Sequence, residues 1–266
     1  MLPRMCAKVL KARADQLVFE QGLTESREQA KRLIMAGEVQ VAVPEGSQTL
    51  PVAVDKPGHI YPAGTRFQLT AREQYVSRGA YKLLTIMDAF HLDVQNWVCL
   101  DAGASTGGFT DCLLQHGAAR VMAVDVGTNQ LAYKLRVDPR VWVRENFNAR
   151  NLTAGDLPER PARAVTDVSF ISLKLILPPM AEVLLPGGEI ISLVKPQFEA
   201  GRGQAPGGVV KDPEVRRRVV EDISRFGQET LGLALLGVAE SPIRGREKGN
   251  VEYLAWWRKP VASTGS

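Results

Sequence analysis

Val98–Thr110 reads VCLDAGASTGGFT, an apolar run that closes on Asp101, passes through a glycine-rich loop and leads into a helical pattern, Gly107 to His116. A strand that enters a helix through such a loop is the opening unit of an open α/β sheet. Its loop lies at the carboxyl edge of the sheet, where this architecture binds ligands. Glycines there let a ligand approach the backbone closely.

Working outward, the same alternation continues. VMAVDVG precedes a helical stretch at Gln130–Arg136, and VWVREN follows it. AVTDVSF precedes Leu173–Leu184, and EIISLVKP precedes Glu214–Glu229. Strands alternating with helices predict a parallel sheet covered on both faces. Two late runs, Leu233–Ala239 and Val251–Trp257, have no full helix between them and are expected to pair as an antiparallel hairpin at one edge. The expected fold is therefore a Rossmann-like α/β domain over residues 83–260, doubly wound and mostly parallel with that edge hairpin, followed by a tail at 261–266.

Against the dinucleotide fingerprint GxGxxG, Gly103 and Gly108 occupy the first and third positions, and Ser105 replaces the second. That second position is where a pyrophosphate lies against bare backbone, so a nicotinamide cofactor is disfavoured. S-adenosylmethionine has no pyrophosphate, and its ammonium group suits a carboxylate such as Asp101. An acid closing the next strand, Asp125, is placed to accept both ribose hydroxyls of an adenosine. The candidate cofactor contacts are Asp101, Gly103, Ser105, Gly107, Gly108 and Phe109 in the loop, then Asp125, with Asn148 near the adenine.

Ahead of this domain, residues 1–70 read as a small α+β unit. Ala14–Gln21 is helical and closed by Gly22; Ser26 can cap a second helix, Arg27–Ala36, stopped by Gly37. Strand patterns follow at Glu38–Val43 and Arg66–Thr70. A linker is expected at 71–82. Of the whole chain's formal charge of +4, all lies at the front: residues 1–82 hold 12 Lys+Arg against 8 Asp+Glu, and the remainder 21 against 21. A basic front end points to a polyanionic partner. On the second helix Arg27, Lys31 and Arg32 cluster, a pattern that suits either phosphate contacts or a solvated face.

Several classes are disfavoured. Cys6, Cys99 and Cys112 show no ligand spacing, so neither a disulfide framework nor a metal site is expected. No signal peptide and no apolar run of the roughly 18 residues that a span needs is read in the chain, which points to the cytoplasm and away from the membrane. His59, His91 and His116 share no spacing that suggests chemistry, and Arg216–Arg218 point in different directions on a helix. Gly201–Val210 reads as a lid over substrate or as a surface loop.

Methyl transfer from a sulfonium to a hydroxyl requires in-line geometry and a base for the hydroxyl proton. A lysine serves as that base with carboxylates to orient it. Lys82 in YVSRGAYKL, Asp167 in VTDVSFISL, Lys195 in SLVKPQFE and Glu252 in GNVEYLAWW are available. Of these, Asp167 and Lys195 follow strand runs, while the spacing alone does not bring the four together.

RADQLVFEQGLTESREQAKRLIMAGEVQV, from Arg13, resembles the RNA-binding domain first described in ribosomal protein S-four. SRGAYKL, DAGASTGGFTDCLL, DVGTNQLAYKLR, TDVSFISL, LVKPQFEAGRG, GGVVKDP and GNVEYL, in that order, resemble the TlyA-type ribosomal RNA methyltransferases, a group once named hemolysins and similar to FtsJ-type 2′-O-methyltransferases. The resemblance implies a Lys-Asp-Lys-Glu tetrad at Lys82, Asp167, Lys195 and Glu252, with Lys195 as proton acceptor. It further implies a cytidine 2′-hydroxyl in ribosomal RNA or ribosomal subunits as substrate and S-adenosylmethionine as methyl donor, with Arg13, Arg27, Lys31, Arg32 and Arg78 as RNA contacts. Rival readings are an inactive RNA-binding protein of ribosome assembly and a membrane-active hemolysin. The complete tetrad counts against the first, and the lack of a convincing lytic or spanning segment against the second.

Overall fold

The structure, a computed structural model, describes residues 10–43, 51–70, 74–201, 203–245 and 248–261. Cys6 and the 44–50 part of the connection after Val43 lie outside the described residues. The chain divides into two compact units, Met1–Gln74 and Tyr75–Ser266.

In the first unit, β1 (Lys11–Arg13) leads directly into α1 (Ala14–Glu20), and α2 (Arg27–Met35) follows. Ser26 caps α2 by accepting from the Gln29 N–H, as its position predicts. Gly22 and Gly37 end the two helices with φ of +72° and +74°, a conformation that costs a side-chain-bearing residue energy. Three further strands are β2 (Val39–Val41), β3 (Val52–Ala53) and β4 (Ile60–Pro62), and β5 (Phe67–Leu69) completes the unit. β2 pairs antiparallel with β3 and β5, and β1 pairs antiparallel with β4. Ala14, Leu17, Val18, Ala30, Ile34, Val39, Val54 and Phe67 form the core.

The second unit opens earlier than the sequence suggests. Tyr75 is buried, and α3 (Gly79–Phe90) starts three residues before Lys82. The stretch expected as a linker at 71–82 is therefore folded into the catalytic unit from Tyr75 on. Ala80, Leu83, Ile86 and Met87 recur at helical spacing and face the core, and Lys82 is buried beside them.

The sheet is then built from β6 (Val98–Ala102), α4 (Gly108–Gln115), β7 (Arg120–Val124), α5 (Tyr133–Arg136), β8 (Val141–Arg144), β9 (Arg163–Thr166), α6 (Leu173–Val183), β10 (Glu189–Val194), α7 (Pro196–Glu199), α8 (Pro213–Arg225), β11 (Ala234–Glu240) and β12 (Tyr253–Arg258). Its strand order is β11-β12-β10-β9-β6-β7-β8. β8, β7, β6, β9 and β10 are parallel, and β12 joins β10 antiparallel with β11 outside it. That is the expected doubly wound sheet with its edge hairpin. Two hydrophobic clusters cover its two faces. Cys99, Ile191, Leu193 and Leu254 meet α3 and α4, while Leu100, Ile190, Val194 and Ala255 meet α6 and α8. Alternate residues of one strand thus belong to different clusters, which explains why the parallel strands read as unbroken apolar runs.

Candidate active site

The parallel strands all end at one edge, and register decides what meets there. Ala102 lies opposite Thr166, and Thr166 opposite Ser192, so the residues just beyond β6, β9 and β10 are neighbours. Tyr253 lies opposite Val194, which sets Glu252 beside Lys195. α3 supplies Lys82 from its first turn. The four residues that sequence spacing left apart are brought together. Lys82 Nζ donates to Glu252 Oε2 at 2.6 Å and is 3.8 Å from Asp167 Oδ2; Lys195 Nζ is 2.6 Å from Asp167 Oδ1. Lys82 and Lys195 are each 8% exposed and Glu252 2%. Groups as buried as Lys82, Lys195 and Glu252 are tolerated there because each basic group faces an acidic one at short range.

Three polar residues that sequence reasoning did not assign complete the arrangement. Lys195 Nζ donates to Ser169 Oγ at 2.7 Å, and Gln197 Nε2 donates to Glu252 Oε1 at 3.4 Å. Glu199 accepts from Ser172 Oγ and from the Leu173 N–H, at 2.6 and 2.7 Å, which ties α7 to the start of α6. Burial pushes the Glu199 carboxyl up against these hydrogen bonds. All three sit inside the quoted motifs TDVSFISL and KPQFE; the signal was a polar residue beside an assigned one, with nothing to distinguish it from a turn former.

The glycine-rich loop runs beside this network. Gly103 has φ +86° and packs on Val168, where a Cβ would stand 2.9 Å from Cγ1. Ser105 has φ +50°, and its N–H donates to Asp125 Oδ2 at 2.7 Å; the Gly127 N–H donates to Asp125 Oδ1 at 2.6 Å. Asp125 therefore stitches its own loop to the glycine-rich one. A Cβ on Gly107 would collide with Leu131 and Leu135, and one on Gly108 with Ser77 Oγ. Phe109 is buried in the core under α4. Asn148 uses its side-chain oxygen to accept the Arg150 N–H at 3.2 Å, capping a short 3-10 turn, one residue beyond Phe147, whose N–H donates to the Asp125 carbonyl.

An FtsJ-like methyltransferase family model matches residues 75–259, the whole sheet unit with the tetrad and the loop. The chain belongs to the FtsJ-like methyltransferases. As a member it is an S-adenosylmethionine-dependent enzyme that methylates an RNA ribose 2′-hydroxyl. It is 46% identical over 251 residues to the 16S/23S rRNA (cytidine-2′-O)-methyltransferase TlyA of Mycobacterium tuberculosis, covering 93% of this chain and 90% of that one. Hemolysin A of Brachyspira hyodysenteriae is 42% identical over 91% of this chain and 98% of its own. A solved structure of a hemolysin-named protein from Streptococcus thermophilus is 46% identical with a TM-score of 0.70, covering 95% of this chain and 90% of that one. Among the described residues, no helix of this methyltransferase is long and apolar enough to cross a membrane. Nor do those residues contain a group of three or more His, Cys, Asp and Glu that could hold a metal ion.

The FtsJ-like loop fits a methyl donor that carries an ammonium group. Asp101 is buried, with Oδ2 accepting from Thr110 Oγ1 at 2.7 Å and Oδ1 without any donor. Burial, helped by the Asp167 and Asp125 charges, pushes this carboxyl up to about 7 against the pull of the Thr110 hydrogen bonds. A cationic ligand at Oδ1 favours the ionised form. Binding of S-adenosylmethionine at pH 6 is therefore expected to release a proton that is not released at pH 8.5, and affinity is expected to weaken as pH falls through 7. Calorimetry in two buffers of different ionisation enthalpy measures this; equal proton release at both pH values, or unchanged release in Asp101→Asn, would contradict it. In the free protein the sign is opposite to the usual carboxylate. Because the folded value lies above the unfolded one, the contribution of Asp101 to stability is full at low pH and is lost as pH rises through about 7.

In the front unit the expected cation cluster is partly neutralised. Asp15 is fully buried; Arg13 donates to it from Nε and Nη2 at 3.0 and 3.2 Å, and Arg27 from Nη2 at 3.2 Å. Burial raises the Asp15 carboxyl, but the two guanidiniums outweigh it and hold it below its ordinary value. Lys31 pairs with Glu28 at 2.6 Å. Arg32 and Arg78 are exposed. The Gly201–Val210 segment is fastened at its far end: Asn250 Nδ2 donates to the Gly208 carbonyl, the Val210 N–H donates to Asn250 Oδ1, and Lys248 Nζ donates to the Gly207 carbonyl. On α8, Arg217 is occupied by Glu214 and Glu221.

Proposed function

We propose that this enzyme methylates the 2′-hydroxyl of a cytidine in ribosomal RNA, with Lys195 as the proton acceptor and Lys82, Asp167 and Glu252 holding it and the ribose. The observation that carries the reading is the charge-balanced network at the carboxyl edge of the sheet, assembled from four distant segments beside the glycine-rich loop. The names of relatives matched over 93% and 70% of this chain support cytidine and rRNA as the target. S-adenosylmethionine, when bound, supplies a methyl group already activated on sulfur, so the protein needs only to position the hydroxyl and remove its proton. As the ribose oxygen becomes methylated, its proton passes to Lys195 Nζ, and the Asp167 carboxylate 2.6 Å away stabilises the ammonium that forms. Lys82, fixed by Glu252, holds Asp167 from its other oxygen.

Arg13, Arg27, Lys31 and Arg32 supply phosphate contacts from the front unit, and Arg78 supplies one at the start of the catalytic unit. The site of action is the cytoplasm, where ribosomal subunits are assembled. The test is transfer of isotopically labelled methyl from S-adenosylmethionine to purified small and large ribosomal subunits, followed by mapping of the modified nucleotide. A 2′-O-methylated cytidine is the expected product; cofactor binding with no transfer to any RNA would instead favour an RNA-binding protein without catalysis.

A further inference from the structure

We propose that Ser169 is a positioning residue of the reaction, the group that aims Lys195 at the substrate hydroxyl; this rests on the reading of Lys195 as the proton acceptor. Two acceptors lie within 2.7 Å of Lys195 Nζ, and they act differently. Asp167 Oδ1 is the closer at 2.6 Å and supplies the opposite charge. Ser169 Oγ at 2.7 Å is the directed acceptor. A neutral amine turns freely about Cε–Nζ unless one N–H is held. With one hydrogen on Ser169 and the Asp167 carboxylate repelling the lone pair from its own side, a single staggered direction remains for the lone pair. That direction is the one a proton must take.

The serine itself is well held. It follows Asp167 by two residues on the loop leaving β9. The next residue, Phe170, has φ +63° and its ring lies 4.9 Å from that of Phe198. Glu199 fixes Ser172 and Leu173 at the far end of the loop. Two attachments to α7, the helix that begins just after Lys195, thus keep the serine in register with the lysine. Ser169 is exposed, so its own O–H can donate to water and leave an oxygen lone pair free for the lysine.

The experiment compares full-length wild type, Ser169→Ala and Ser169→Thr in methyl transfer to rRNA, with cofactor affinity and thermal melting measured alongside. Ser169→Ala is expected to lower kcat about 10- to 100-fold, as misplacement of a catalytic group does. Its KM for RNA should stay within about twofold, since uniform binding is not what the hydroxyl provides. Ser169→Thr, which keeps the hydroxyl, should stay within about threefold of wild type on the same positioning argument. Wild-type kcat in Ser169→Ala overturns the proposal. So does a raised KM at unchanged kcat, which would make Ser169 an RNA contact, or an equal loss in both variants. Wild-type protein that methylates no RNA would sink the parent reading, and this inference with it, before any variant is compared.

Discussion

Lys195→Ala is expected to lower the rate of methyl transfer about 10²- to 10⁴-fold, the range a positioned general base contributes. KM for RNA and cofactor affinity should change little, because the lost interaction belongs to the transition state. Lys195→Arg should be nearly as slow, since a guanidinium keeps its proton at any working pH. The fold should survive: Asp167, left by Lys195, still has Lys82 3.8 Å away. Single-turnover transfer with labelled cofactor measures the chemical step directly. A variant that keeps the wild-type rate would remove Lys195 from the chemistry and direct attention to Lys82. Glu252→Ala strands the buried Lys82, so its cost should combine both effects and fail to add with that of Lys195→Ala.

The second large effect lies at the opposite edge of the sheet and concerns stability alone. Glu189 is buried at the start of β10, where Oε2 accepts from Trp256 Nε1 at 3.0 Å and Oε1 from Arg258 Nε and Nη2 at 3.0 and 2.9 Å, with Arg163 Nε at 3.5 Å. Arg163 in turn lies over the Trp97 ring, 4.9 Å from its centroid. Glu189→Ala leaves Trp256 Nε1 without its acceptor and Arg163 without its opposite charge. A broken buried pair costs about 3–5 kcal/mol, and the half-exposed Arg258 can return to water, so about 3 kcal/mol is expected. For a domain of this size that is a drop of about 6–12 °C in Tm. Glu189→Gln keeps an acceptor for Trp256 and should lose less. Thermal melts read the difference, and methyl transfer at 25 °C should stay at wild type in both. A shift under about 2 °C, the scale of a surface pair, would mean that the cluster is no more than solvated charge.

The sheet was legible because its physics is periodic. Runs buried on both faces read as continuous apolar strands, the loops between them carry their glycines, and the absence of a helix between the last two runs left only a hairpin. α3 was not legible, for an equally physical reason. Arg78 gives it no side-chain cap, its first turn holds no acid, and Lys82 interrupts the apolar stripe on the face that packs inward. The residue that makes α3 functional is the one that spoils its helical pattern. The tetrad was legible as residue types at strand ends. Its closure depends on register, on Tyr253 opposite Val194, which no local pattern encodes. Nor does the sequence reveal that Leu131, Leu135 and Ser77 pack against Gly107 and Gly108, or that Phe109 turns inward. Likewise Asp15 gave no sign that it would draw both Arg13 and Arg27 onto itself.

Lys82 and Glu252 touch across 170 positions of sequence. During synthesis the chain emerges from its amino end, and domains form as units in that order. The front unit, with the cations proposed to hold RNA, can therefore be complete while β12 has yet to be made. Until β12 adds to β10, Glu252 is missing and Lys82 lacks the partner that fixes it. A growing polypeptide would thus acquire affinity for RNA well before it acquired catalysis, and one halted in that interval would occupy its target without modifying it.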